Sequence, residues 1–386
     1  MTRCIACGGL LEVRHQAPPL RGTALRAELD RRVGGSGVWR FRELVLPATA
    51  EPVSYPEGNT PLIASAAVAG FAGVAGLTLK HEGLNPTGSF KDRGMTVGIT
   101  QARRVGAQAV VCASTGNTSA SLAAYGALAG IRVCVLVPAG KIALGKLAQT
   151  VGFGAQVLAV RDDFDACLRL VEESSEQLGW YLLNSINPFR IEGQKTIVFE
   201  LLQQLKWEVP DWIVLPGGNL GNTAAFGKAL REALELGLID RLPRLAVIQA
   251  TGAAPFARNY AERFQHRYEV QADTVATAIR IGNPASWERA VTAIRESNGV
   301  VTAVSDAEIL EAKTVIDRAG IGCEPASAAS LAGVRRLVAA GTIAPSARVS
   351  AVLTGHMLKD PESLLGARHP VQEIEPSLDA MRAILD

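Results

Sequence analysis

Short apolar runs of β type alternate with longer helical patterns along most of this chain. That alternation restricts it to a parallel α/β architecture. "AVVCA" (109–113) reads as a buried strand and "NTSASLAAYGALAG" as a helix closing at Gly130. "RVCVLVP" is the next strand, "ALGKLAQTVG" a helix and "AQVLAV" a further strand. "DDFDACLRLVEESSEQLG" is a helix with acidic residues in its first turn, where the helix dipole favours them. Residues 94–188 are therefore expected to form one doubly wound unit. A second series follows, with "EGQKTIVFELLQQL" as an amphipathic helix. "WIVLP", "RLAVIQA", "GVVTAVS" and "RVSAVLT" are its strands, with helices between them.

A chain of 386 residues fits two domains, or one large α/β unit with an insertion. With 48% hydrophobic and 20% charged residues it can build a sizeable core, which excludes a disordered chain. The formal net charge is only +2 and no run of like charges occurs, so no nucleic-acid face is indicated. No N-terminal segment has the order of a signal peptide. The least polar window, "SLAAYGALAGIRVCVLVP", is interrupted by Arg132 and reads as helix, turn and strand rather than a membrane span. Cys4, Cys7, Cys112, Cys134, Cys167 and Cys323 are scattered, which suits a reducing, cytoplasmic compartment. "GGSG" (34–37) is the one linker-like spot, and it is expected to set off a small N-terminal piece.

Four stretches carry candidate chemistry. In "LNPTGSFKDRG" (84–94), Pro86 keeps Asn85 extended, and Ser89 with Asp92 has the spacing of a capping box. A helix starting at about Phe90 places Lys91 in its first turn, facing the positive end of the dipole. Such an amine loses its proton more easily than one in water, and a neutral amine is what an aldehyde needs to form an imine. On spacing alone, a surface lysine following a cap fits as well. "STGNTSAS" (114–121) follows a strand and opens a helix, so Ser114, Thr115, Asn117 and Thr118 stand at an anion-binding helix N-terminus. "LPGGNLGNT" (215–223) has the same placement, and its glycines allow a nest of N–H groups around a phosphate. It is neither a Walker loop nor a full G-x-G-x-x-G pattern. "LLNSINPFRIEGQKT" (182–196) places Asn184, Ser185 and Arg190 in one irregular stretch, and the arginine fork suits a phosphate or carboxylate. Alone, each of the last three also reads as an ordinary capped turn or surface loop. Together they suggest a phosphorylated aldehyde cofactor and an acidic substrate.

From "YPEGNTPL" (55–62) to "LTGHMLKDP" (353–361), some 300 residues resemble the threonine synthase family. The motifs between are "LNPTGSFKDRGM", "ASTGNTSASLAAY", "PAGKIALGKLAQ", "NSINPFRIEGQKT", "IRIGNPASW" and "CEPASAAS". "SFKDRG" marks the wider fold type II, tryptophan synthase β-like group; "NSINPFR" and "IGNPASW" are the more specific. The resemblance implies pyridoxal 5'-phosphate (PLP) between two doubly wound α/β domains. These are a large one (45–93 and 189–386) and a small one (94–188), behind an N-terminal extension (1–44). It implies a cytoplasmic homodimer without membrane or nucleic-acid partners. It also implies a lyase reaction in which O-phospho-L-homoserine and water give L-threonine and phosphate. By the same resemblance Lys91 would carry the cofactor imine and move protons. The backbone of Gly218, Asn219, Leu220, Gly221 and Asn222 would hold the cofactor phosphate, and Asn117 its phenolic oxygen. Thr354 would meet the pyridine nitrogen, where a neutral hydroxyl favours the unprotonated ring and an aspartate would not. Ser114, Thr115 and Thr118 would bind the substrate carboxylate. Asn184, Ser185 and Arg190, with Thr118 and Lys146, would bind the substrate phosphate.

Departures from the family's pattern bear on substrate choice. Met357 stands where the family has glycine, and Gly322 where phenylalanine is common. "CIACGGLLEV" resembles one knuckle of a zinc ribbon, but Cys4 and Cys7 are half a site and His15 is the nearest further ligand. The two explanations are a decayed ribbon and a chain that starts late. Three rival readings stand beside the main one: a cysteate synthase using O-phosphoserine and sulfite, a threonine dehydratase-like lyase, and a non-catalytic PLP-binding protein.

Overall fold

The computed structural model describes residues 2–32, 34–47, 51–140, 144–361 and 373–385; the side chains of 144–146 and 385 lie outside the description. The alternation in the sequence resolves into two sheets. Ten strands form them: β1 (Leu62–Ile63), β2 (Gly76–His81), β3 (Ala109–Ala113), β4 (Arg132–Pro138), β5 (Gln156–Val160), β6 (Tyr181–Leu182), β7 (Trp212–Pro216), β8 (Arg244–Ala250), β9 (Val300–Val304) and β10 (Arg348–Leu353). The larger sheet has the order β1-β2-β10-β7-β8-β9 and the smaller β5-β4-β3-β6. Every pairing is parallel except β1 with β2. The fold class expected from the sequence is the one observed.

Parallel strands are buried on both faces and so need helices on both. On one side of the larger sheet, Phe199, Phe226 and Ile294 pack from the helices Thr196–Gln204, Gly221–Glu235 and Trp287–Glu296. On the other, Ile309, Ile316, Leu331 and Val334 pack from Asp306–Arg318 and Pro325–Ala339. Leu25, Leu29, Val38 and Phe41 belong to the first of these cores. Gly37 N–H donates to the Glu57 carbonyl at 2.7 Å. "GGSG" is therefore no linker: the residues before and after it are buried in one core.

Two local expectations change. Asp92 does not complete a capping box, and Phe90 at the N-cap of the helix Lys91–Arg104 makes no side-chain cap bond. The stretch 182–196 is not irregular throughout. Asn187 caps a helix, Pro188–Gln194, by accepting from the Phe189 N–H at 3.0 Å, and Arg190 lies in its first turn. Pro at the first helical position costs no hydrogen bond, since that N–H has no partner in a helix anyway.

Candidate active site

The Lys91 turn is held from two sides. Phe90 N–H donates to the Thr354 carbonyl at 3.0 Å and His356 N–H to the Gly88 carbonyl at 2.9 Å, tying the turn to the end of β10. From the other side, buried Asp92 accepts from the Thr87 N–H (2.7 Å), the Thr87 hydroxyl (2.6 Å) and the Ser121 hydroxyl (2.6 Å). Asp92 thus fastens the turn to the helix Asn117–Ala129 instead of capping its own helix. Burial outweighs these donors and raises its carboxyl to about 6. The Lys91 amine lies 4.0 Å from the centroid of the Phe90 ring. Burial, with the Arg190 charge adding to it and Glu324 opposing, lowers the amine to about 7.

Arg190 reaches Lys91 because two helices approach unusually closely. A Cβ on Gly193 would sit 1.7 Å from the Arg93 carbonyl oxygen, and one on Gly94 3.1 Å from the Arg190 carbonyl oxygen. Only glycine at the crossing lets Pro188–Gln194 lie against Lys91–Arg104. Arg190 is buried and donates to the Leu183 carbonyl at 3.2 Å, while its Nε has no partner. No carboxylate pairs with it among the described residues, and burial lowers it to about 10. A buried, unneutralised guanidinium is costly, and an anion supplied from outside offsets that cost. One turn on, Gln194 Oε1 is also unpartnered and lies 3.5 Å from where a Cβ on Gly221 would be. The sequence reading missed Gln194; its i+4 spacing from Arg190 was the available signal.

The two expected anion-binding turns sit at the carboxyl ends of β3 and β7, where ligands bind in open parallel sheets. The helix starting at Asn117 has Gly116 at its N-cap and no side-chain cap. Its first N–H groups are thus left for a ligand. The Ser114 hydroxyl accepts from the Gly116 N–H at 3.3 Å, and Thr115 and Thr118 are half-buried beside it. The Gly217–Leu220 loop likewise ends without a cap, at Leu220 with φ of 62°. The buried Asn222 Oδ1 and Thr223 Oγ1 behind it have no partners. Asn219 anchors the loop: its Oδ1 accepts from the Ala285 N–H at 3.1 Å and its Nδ2 donates to the Ser185 hydroxyl at 3.4 Å. Ser185 therefore stands beside this loop. Asn184 is committed elsewhere. Its amide accepts from the Ala113 N–H at 3.1 Å and donates to the Ala113 carbonyl at 3.2 Å, which fixes the approach to Ser114. Lys146 lies on the helix Leu144–Gly152, and its side chain is outside the described residues.

Thr354 is buried at the end of β10, 2.9 Å from the Ser327 hydroxyl. It also lies 3.4 Å from Glu324 Oε1, while Glu324 Oε2 accepts from Asn117 Nδ2 at 3.0 Å. Glu324 is a further site residue that the sequence reading passed over inside "CEPASA". Burial raises its carboxyl, opposed by Asn117, Lys359 and Lys91. A cleft of about 480 Å³ opens beside these groups, lined by Asn85, Thr87, Asn117, Gln149, His356 and Lys359. A smaller cavity of about 150 Å³ lies behind the Arg190 helix, lined by Glu12, Glu192, Lys228 and Arg289 and by none of the candidate site residues.

The two departures turn out to be neighbours. Gly322 has φ of 72°, and a Cβ there would meet Met357 Sδ at 2.7 Å. The methionine lies where a side chain at position 322 would begin. The half-site at the N-terminus gains no ligand from His15, whose Nε2 lies 2.7 Å from the buried Glu192 carboxylate. No cluster of three or more potential metal ligands occurs among the described residues.

The site thus joins a buried guanidinium without a carboxylate partner, an amine lowered to about 7 and two uncapped helix starts. Such a set suits an aldehyde cofactor that carries a phosphate group and is held as an imine on the amine. The model of the pyridoxal-phosphate dependent enzyme family matches residues 53–355. Threonine synthase from Methanosarcina acetivorans is 48% identical over 98% of this chain and 93% of that protein. The enzyme from Methanocaldococcus jannaschii is 46% identical over 98% and 94%, respectively. Among solved structures, maize serine racemase matches with a TM-score of 0.69 at 21% identity, over 83% of this chain and 92% of that one. A Solanum lycopersicum threonine deaminase matches with 0.69 at 19%, over 93% and 98%. The chain belongs to the pyridoxal-phosphate dependent enzyme family and, within it, to the threonine synthases.

Proposed function

We propose that this protein converts O-phospho-L-homoserine and water to L-threonine and phosphate, using PLP carried on Lys91. The observation that carries the reading is Arg190, buried without a carboxylate partner and close enough to Lys91 to depress its amine. The unpartnered Thr223 Oγ1, a hydroxyl with a proton to donate, and the uncapped Gly221 helix fit the cofactor's phosphate end. When bound, the cofactor supplies an electron sink that acidifies the carbons next to the substrate's amino group.

The residues then divide the work. The backbone of Gly218, Asn219, Leu220, Gly221 and Asn222 holds the cofactor phosphate, with Asn117 at the phenolic oxygen and Thr354 at the pyridine nitrogen. Ser114, Thr115 and Thr118 bind the substrate carboxylate at the Asn117 helix start. Arg190 and Ser185, with Thr118 and Lys146, bind the substrate phosphate, and Asn184 acts by fixing the Ala113 backbone. The Lys91 amine takes a proton from the substrate's α-carbon and returns it later, work suited to a base titrating at about 7. Phosphate that has left the γ-carbon stays on Arg190 and assists proton transfer from the water added at the β-carbon.

We take 94–188 as the small domain, 45–93 with 189–386 as the large one, and 1–44 as an extension built into the large core. The six thiols are free, which suits the cytoplasm, and we expect a homodimer. No described helix is long and apolar enough to cross a membrane. The deciding assay compares phosphate release from O-phosphohomoserine with turnover of O-phosphoserine plus sulfite. Turnover of the second pair alone would sink the assignment. Arg190→Ala should lower kcat as well as raise KM, and a change in KM alone would remove phosphate from the proton transfer.

A further inference from the structure

Glu324, Thr354 and Ser327 form a short chain of hydrogen-bonding groups ending at the place proposed for the pyridine nitrogen. The chain is built in. A Cβ on Gly355 would lie 2.5 Å from both Cδ and Oε1 of Glu324, so the carboxyl occupies space that only a glycine at 355 leaves. Glu324 Oε2 accepts from Asn117 Nδ2 at 3.0 Å, which pins that end of the carboxyl. Its Oε1 faces the Thr354 hydroxyl at 3.4 Å. Ser327 Oγ accepts from the Gly355 N–H at 2.9 Å and lies 2.9 Å from Thr354 Oγ1.

A threonine hydroxyl has one proton to give. If Glu324 keeps its proton it donates to Thr354, and the Thr354 proton is free for a third group. If Glu324 is ionised it takes the Thr354 proton as acceptor. Thr354 then accepts from Ser327 and presents only a lone pair outward. We infer that the proton on Glu324 sets the direction of the Thr354 hydroxyl, and through it whether the pyridine nitrogen meets a donor or an acceptor. Glu324 is thus a positioning residue, acting through Thr354. A donor favours the unprotonated ring and an acceptor the protonated one. On ionisation the Glu324 O–H···Oγ1 bond breaks and Thr354 O–H···Oε1 forms. The proton leaves to solvent through the cleft, and no electrons move.

The surroundings make both states accessible. Lys91 from its helix and Lys359 from the turn after β10 both face Glu324 and favour the carboxylate. Burial opposes them and raises the carboxyl. Asn117 adds a neutral donor. Cys323, next in the chain, stays a neutral thiol because burial raises it far above its usual value.

The inference rests on the proposed placement of the cofactor, and the test separates the two. PLP labelled at its ring nitrogen is bound to the protein, and the nitrogen's NMR shift is followed against pH. In the wild-type protein the shift should move with a midpoint above the usual carboxylate range. Glu324→Gln, which cannot titrate, should make it independent of pH, and so should Thr354→Val. Thr354→Ser should restore the response. A Glu324→Gln protein that titrates like the wild type, or a wild-type shift that does not move, overturns the inference while leaving the cofactor site standing. Absence of any absorbance band dependent on Lys91 would remove the cofactor placement and the inference with it.

Discussion

At the scale of single residues, Lys91 shows how position sets reactivity. The amine lies over the Phe90 ring, and burial with Arg190 holds it to about 7 against an ordinary 10.5. The folded amine therefore holds fewer protons than the unfolded one from about pH 7 to 10.5. Stability of the cofactor-free protein attributable to this group rises with pH across that window. Lys91→Met should flatten that slope in thermal melts between those pH values, and an unchanged slope would place the titrating group elsewhere. Capture of PLP should follow the neutral amine. Its rate should fall about tenfold per pH unit below the amine's midpoint, and Arg190→Leu should move that limb to higher pH. Stopped-flow absorbance reads both.

At the scale of elements, the helix crossing decides whether the site exists. Gly193→Ala would place a methyl 1.7 Å from the Arg93 carbonyl oxygen, which no rotamer relieves because both partners are backbone. The helices must separate, at about 1–3 kcal/mol or more. Urea denaturation should show that loss, and inorganic phosphate should protect the variant less than the wild type. Ser and Ala at 193 should behave alike; a mild Ala variant would mean that the crossing yields easily. The strands were legible in the sequence because parallel strands buried on both faces are continuous apolar runs. The helix carrying Arg190 was not, since "NSINPF" has the polar and proline content of a loop. Asn187 before Pro188 was the signal, a cap followed by a proline at the first helical position. The Ser89–Asp92 spacing misled for the opposite reason. Asp92 turns back to Thr87 and across to Ser121, twenty-nine residues away, and the capping-box spacing reports neither partner. Glu324 was hidden similarly, its role set by Gly355 and Thr354 across a strand end.

At the scale of the whole molecule, one buried carboxylate joins five parts of the chain. Glu200, on the helix Thr196–Gln204, meets Arg40 at 2.6 Å, Lys80 of β2 at 2.6 Å and Arg93 of the Lys91 helix at 2.8 Å. It also accepts from the Asn59 N–H at 2.9 Å and the Thr60 N–H at 3.0 Å. The three cations hold its carboxyl far below the usual range despite burial. Glu82 is the other carboxylate on Arg93, at 2.7 Å, so without Glu200 three buried cations share one counter-charge. Glu200→Gln should therefore cost about 3–5 kcal/mol, whereas Arg40→Met, which leaves two cations on Glu200, should cost clearly less. The acid limb gives an independent check. A carboxyl depressed by folding adds stability above its unfolded value of 4.5, and that stability is lost as pH falls toward the folded value. Wild-type urea midpoints should fall through this acid range, while Glu200→Gln starts lower and falls less. Equal acid slopes would show that other carboxylates govern acid unfolding. The predicted pattern, a variant weaker at neutral pH and flatter in acid, would mean that the N-terminal segment, the larger sheet and the Lys91 helix unfold as one unit held by this charge.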